Sequence, residues 1–251
     1  MQPRALASSC LVLALVVGCD DSEKPKNPFE PPPKETVAPP AVTEVPKPPG
    51  PPALAIDDLG PKVGFSRVLL DKPEGRQKLD EELSQVKSEL SGKEVALSVI
   101  RKAKLEHVVT MLGALEKVSV AKVLIKTDTR EEYPKELAFT PLGSAKSAAP
   151  CSVVTMVLSD RSTASWRLAG GLAMRRPKGF AGPDLTMTGE TIERLAKGCK
   201  DSSTLFISAA DEIEWGLAYD LAASTKKIEG VSFDAFVLLL ETPIAGRKVK
   251  L

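Results

Sequence analysis

The sequence predicts an α+β fold in two tandem units, each a small mixed sheet with two helices packed on one face. Three observations carry this expectation. Short runs rich in β-branched and apolar residues alternate with amphipathic helical patterns, the element order ββ-α-β-α-β occurs twice, and one strand–loop–helix junction recurs. The junction reads "LSVIRKAKLEHVVTML" at 97–112 and "ISAADEIEWGLAYDL" at 207–221. Leu97-Ser98 aligns with Ile207-Ser208 and Leu105 with Trp215, although identities beyond the junction are scarce.

In the first unit, "LAI" (54–56) and "VGFSRVLL" (63–70) read as strands. After Pro73, "EGRQKLDEELSQVKSEL" sets Leu79, Leu83, Val86 and Leu90 on one stripe, with Lys, Glu and Asp opposite, which predicts a helix. "VALSVI" (95–100) is a strand. Leu105, Val108, Val109, Leu112, Leu115 and Val118 mark a second amphipathic helix, and "AKVLIK" (121–126) closes the unit as a strand. A polar, Ala/Ser/Pro-containing stretch, 127–150, separates the units.

In the second unit, "SVVTMVLSD" (152–160) and "TASWRLA" (163–169) read as strands. The basic "LAGGLAMRRPKGFAG" (168–182) reads as a flexible loop, because it lacks the Gly-Lys-Ser/Thr ending of a phosphate-binding loop. "TGETIERLAKG" (188–198) is a short helix with Thr188 as its N-cap and Gly198 as its stop. "STLFISA" (203–209) is a strand, Trp215 to Ile228 a helix, and "AFVLLL" (235–240) the last strand. Trp166 and Trp215 are expected as core anchors.

Ahead of these units the composition changes. "MQPRALASSCLVLALVVGCDD" has Arg4, an apolar run from Leu11 to Val17, then Gly18-Cys19. A run this short suits a secretory signal core rather than a spanning helix. "VVGC" resembles the bacterial lipobox, in which the Cys is lipidated and becomes the new N-terminus; the alternative is an ordinary cleaved signal with an incidental Cys. The resemblance implies a lipid on Cys19, holding the chain on a membrane and facing the periplasm, with inner or outer membrane left open. From Glu23 to Pro52 lie twelve of the 21 prolines, so neither helix nor sheet persists there. Such a tether extends at about 3.1 Å per residue, on the order of 90 Å in all. The expected organisation is a signal peptide at 1–18, the lipidated Cys and tether at 19–52, a first domain at 53–130, a linker at 131–150 and a second domain at 151–245.

Bulk properties exclude several functions. A net charge of +1 argues against a nucleic-acid partner, and 4% aromatics leave few stacking platforms. His107 is the single histidine and no ligand-spaced Cys or carboxylate pattern accompanies it, so no metal, cofactor or catalytic residue is expected. His107 itself reads as a surface or half-buried helix residue. Cys151 and Cys199 form an even pair in an oxidising compartment, a disulfide candidate; two buried free thiols are the alternative.

The second junction resembles the periplasmic domain of the ExbD/TolR family of biopolymer-transport proteins. "AADEIEW" supplies Ala210, Asp211, Ile213 and Trp215, and "EGV" supplies Gly230 and Val231. The first copy departs from the pattern, with Arg101 in place of the Asp and Leu105 in place of the aromatic. The family's membrane-spanning, Asp-bearing helix also has no counterpart here. The resemblance therefore implies a non-enzymatic envelope protein that binds or scaffolds partner proteins of such a transport or motor system, without conducting protons itself. The alternative is a peptidoglycan-binding lipoprotein linking membrane and wall. Family domains act as dimers, which implies a pseudo-dimer within this chain. The loop charges, Arg101, Lys102 and Lys104 against Asp211, Glu212 and Glu214, would favour such pairing. These six residues, with Arg175 and Arg176, are the partner-contact candidates.

Overall fold

A computed structural model describes residues 50–199, 204–233 and 235–251. The expected signal peptide, Cys19 and nearly all of the tether lie outside the described residues.

The chain enters through β1 (Leu54–Ile56), β2 (Pro61–Val63) and β3 (Ser66–Arg67), then α1 (Gly75–Gln85) and α2 (Lys87–Leu90). It continues through β4 (Glu94–Val99), α3 (Leu105–Lys117) and β5 (Lys122–Lys126). The stretch expected as a linker also supplies β6 (Glu136–Phe139) and a 3-10 turn at Leu142–Ala145. Then follow β7 (Val153–Val157), β8 (Thr163–Arg167), β9 (Met174–Arg176) and α4 (Leu185–Lys197). β10 (Thr204–Ala209), α5 (Trp215–Ser224) and β11 (Ala235–Leu238) complete the order.

All eleven strands join one mixed sheet, ordered β3-β2-β1-β4-β5-β6-β11-β10-β7-β8-β9. β1, β4 and β5 run parallel to one another, as do β7, β10 and β11. β6 is antiparallel to β5 and parallel to β11, so the two sets of strands run in opposite directions. Each set is flanked by an antiparallel hairpin, β2–β3 and β8–β9.

Several local expectations are corrected by backbone geometry. The run 63–70 is not one strand, because Gly64 takes a positive φ of 60° and turns β2 into β3. The loop expected at 168–182 contains β9, which pairs with β8. Asp184, not Thr188, caps α4: its carboxylate accepts the Met187 N–H at 3.0 Å, a turn earlier than the apolar pattern suggested. The Thr188 hydroxyl is instead buried against Thr163 at 2.7 Å. His107 is buried, at 1% exposure.

The main core joins Leu79 and Leu83 of α1, Val108, Met111 and Leu115 of α3, Ile192 of α4 and Trp215 and Tyr219 of α5 to the strand residues beneath them. β4 alternates buried and exposed positions, so the opposite face of this part of the sheet meets solvent. There Lys122 pairs with Glu94 at 3.5 Å and Lys126 with Glu136 at 3.3 Å. β7 is buried at every position. Its second face belongs to another core with Trp166, Phe206 and Val237, covered by the 3-10 turn and by the C-terminal residues Ala245, Val249 and Leu251. Trp166 Nε1 donates to the Arg247 carbonyl at 3.0 Å, and the Val249 N–H to the Leu168 carbonyl at 3.0 Å.

Candidate functional site

The two junction loops meet. The Trp215 N–H donates to the Ala103 carbonyl at 2.9 Å and the Gly216 N–H to the Arg101 carbonyl at 2.8 Å. Lys104 and Glu214 face each other in an isolated antiparallel bridge. Close approach is possible because residue 216 is glycine: a Cβ there would lie 3.0 Å from both Cβ and O of Arg101.

Arg101 then reaches across to α5. Its Nη1 and Nη2 each donate to Asp220 at 2.8 Å, a bidentate ion pair. Asp220 is 2% exposed and Arg101 35%. The Thr129 hydroxyl donates to the same carboxylate at 2.6 Å, and Arg130 Nε lies 3.8 Å from it. The guanidinium is raised above its usual pKa, chiefly by the hydrogen bonds to Asp220, so Arg101 remains charged. Behind this clasp, Trp215 Nε1 donates to Thr127 Oγ1 at 2.8 Å and the Tyr219 hydroxyl to the Pro134 carbonyl at 2.9 Å. Burial pushes the Tyr219 phenol well up, so it stays a donor. Phe139 and Tyr219 flank the Trp215 ring at 5.8 Å and 5.7 Å.

On the other side of the meeting point, beside α3, the surface opens into a groove of about 960 Å³. Val109, Gly113 and Leu240, all half-buried, supply apolar lining, with Asp211, Glu241 and Thr242 at one end. A second, shallower hollow of about 930 Å³ lies over the strand ends near Ala55, Ser98 and Lys126.

No protein-family model, curated protein or solved structure matches this chain.

Of the sequence-nominated residues, Arg101 lies at the seam, but its ion-pair partner is Asp220, outside the acidic triplet. Lys102 is exposed, and Lys104 pairs with Asp71 at 3.0 Å. Asp211 accepts from the Thr242 hydroxyl at 2.9 Å, while Glu212 and Glu214 are exposed. Arg175 and Arg176 sit far along the sheet on β9, where Arg176 Nε donates to Thr191 Oγ1 at 2.6 Å. Cys151 and Cys199 are at disulfide bonding distance, with Cα atoms 5.5 Å apart. Asp220 and Thr129 were missed. The available signal was a lone Asp on the otherwise apolar face of "WGLAYDLAA", a position that demands a buried partner.

Among the described residues no cluster of His, Cys, Asp and Glu is arranged to hold a metal, and no helix is long and apolar enough to cross a membrane.

Proposed function

We propose that this chain is a membrane-anchored lipoprotein of the cell envelope, facing the periplasm, that works without catalysis by binding or scaffolding partner proteins. On this reading it carries two ExbD/TolR-like copies, each contributing five strands to the one mixed sheet on either side of β6, with two main helices on one face. They are paired inside one chain as a pseudo-dimer and held off the membrane by the proline-rich tether. One observation carries the proposal: the two junctions quoted from the sequence meet each other, through the hydrogen bonds from Trp215 and Gly216 to Ala103 and Arg101. The strand order read outward from β6 supports it, because β5-β4-β1-β2-β3 corresponds step by step to β11-β10-β7-β8-β9.

The anchor rests on Cys19 and its lipobox-like context. Replacing Cys19 with Ser should move the protein from the membrane fraction to the soluble periplasmic fraction; continued sedimentation with membranes would refute the anchor. The binding role is tested by crosslinking the lipidated chain in its own envelope and identifying its neighbours. A second reading, attachment to peptidoglycan, is favoured by the proline-rich composition of 23–52, which suits a strap from membrane to wall. Co-sedimentation of the protein with purified sacculi separates the two. Salt-resistant pelleting supports wall attachment, and a protein left in the supernatant supports a protein partner.

A further inference from the structure

The groove beside α3 occupies the same place in its half of the fold as the clasp does in the other. Register along the sheet supplies the correspondence. Leu97 pairs with Ile125, and Ile207 pairs with Leu238, so Thr242 stands where Thr129 stands in the first half. Aligning the junctions then matches Asp211 with Arg101 and Thr110 with Asp220. Both halves keep the threonine contact: Thr129 accepts from Arg101 at 3.2 Å and Thr242 donates to Asp211 at 2.9 Å. Only one half closes. After β5 the chain folds back through 127–135 over α5, sealing Asp220 and Tyr219. After β11 the chain instead leaves for the opposite face, where Arg247 and Val249 hold it to Trp166 and Leu168. The counterpart position beside α3 therefore stays open as the groove.

Its charge indicates what it accepts. The lining holds five carboxylates, Asp211 and Glu241 among them, against two cations, Arg76 and Lys117, a net charge of −3. The two cations are already engaged, Arg76 with Glu106 at 3.1 Å and Lys117 with Asp80 at 2.6 Å. Asp211 and Glu241 have no ion-pair partner among the described residues, and both are exposed at the groove end.

We propose that this groove binds an extended segment of a partner protein carrying an arginine or lysine, whose cation sits between Asp211 and Glu241 while its apolar flank packs on the half-buried Val109, Gly113 and Leu240. The segment does for α3 what 127–135 does for α5. The proposal deepens the protein-binding reading and rests on it.

The test uses the full lipidated chain in neutral detergent and a fluorescein-labelled peptide, Gly-Arg-Gly-Arg-Tyr-Gly, followed by anisotropy. A peptide with Glu in place of both Arg is the control. Saturable binding of the arginine peptide alone is expected, weakened at least fivefold by Asp211→Asn with Glu241→Gln. Glu131→Gln with Glu132→Gln, on the α5 side, should change it less than twofold. Thr110→Arg adds an intramolecular cation opposite Asp211, recreating the clasp with reversed polarity; it should abolish peptide binding without lowering the unfolding midpoint. Equal binding of both peptides, no saturable binding, indifference to Thr110→Arg, or an equal effect of the α5-side pair overturns the groove assignment. These results leave the envelope crosslinking outcome untouched, so failure of the groove and failure of the partner-binding reading are told apart.

Discussion

Removing the arginine of the clasp should expose how strongly the two sets of strands depend on each other. In Arg101→Leu the Asp220 carboxylate keeps Thr129 but loses its bidentate partner while 98% removed from solvent. Breaking a fully buried pair costs about 3–5 kcal/mol. Arg101 is about one-third exposed, so water and Arg130 recover part of this, and about 2–3 kcal/mol is the expected loss after that discount. Asp220→Leu leaves a guanidinium that can turn to solvent and should cost less, about 1–2 kcal/mol. The double variant removes both charges, so the coupling energy of the cycle should exceed about 1 kcal/mol. Urea unfolding followed by tryptophan fluorescence suits the assay, since Trp166 and Trp215 are both fully buried. A coupling below about 0.5 kcal/mol would falsify the claim that this pair ties the seam together.

Reduction of the Cys151–Cys199 pair, or Cys151→Ser with Cys199→Ser, should lower stability by up to about 4 kcal/mol, the loop-closure expectation for cysteines 48 residues apart, measured as urea midpoint with and without reductant. His107 is held below its ordinary pKa, first by burial and then by Lys104, with Asp71, Glu106 and Asp57 opposing; its Nδ1 has no hydrogen-bond partner among the described residues. The unfolded chain therefore takes up this proton first, so stability falls as pH drops through the unfolded value of about 6.5 and levels off below the folded one. His107→Leu should flatten that slope, and an unchanged slope would assign it elsewhere. Asp57 is raised by burial but lowered more by Lys62, Arg67 and the Leu59 N–H, to about 2. Its contribution, about 1 kcal/mol after screening, is present above pH ~4 and is lost as pH falls toward 2, so Asp57→Asn should remove it in an acid titration of the unfolding midpoint. Gly75→Ala would set a Cβ 2.3 Å from the Leu69 carbonyl oxygen and 2.8 Å from Leu70 Cα, both backbone, and should cost about 1–3 kcal/mol in the same urea assay.

Hydrophobic period carried most of the elements into view. The Leu79–Leu83 stripe and the Val108–Leu115 stripe are core faces of α1 and α3, and both tryptophans are buried. Starts and breaks were less legible because single backbone angles decide them: Gly64 splits β2 from β3, and Asp184 starts α4 a turn before its apolar pattern. β6 was hidden in a polar stretch, since "ELAF" is too short to show a period and its pairing partners lie on β5 and on distant β11. Of the candidate contacts, Arg101 was legible by its contrast with Asp211 in the repeat. Its partner was not, because the alignment pairs loop with loop and the guanidinium is long enough to pass the opposing loop and reach the next helix.

The repeat of elements, the amphipathic faces and the sign contrast of the two loops were determined by the sequence alone, because period and charge are local properties of a chain. The joining of both strand sets through β6, the burial of Asp220, the covered face behind β7 and the open groove beside α3 were decided only in three dimensions. Each depends on where a segment goes after it leaves its strand. Residues 127–135 fold back over α5 while 243–251 cross to the far face, and nothing in the local pattern of either segment distinguishes the two paths.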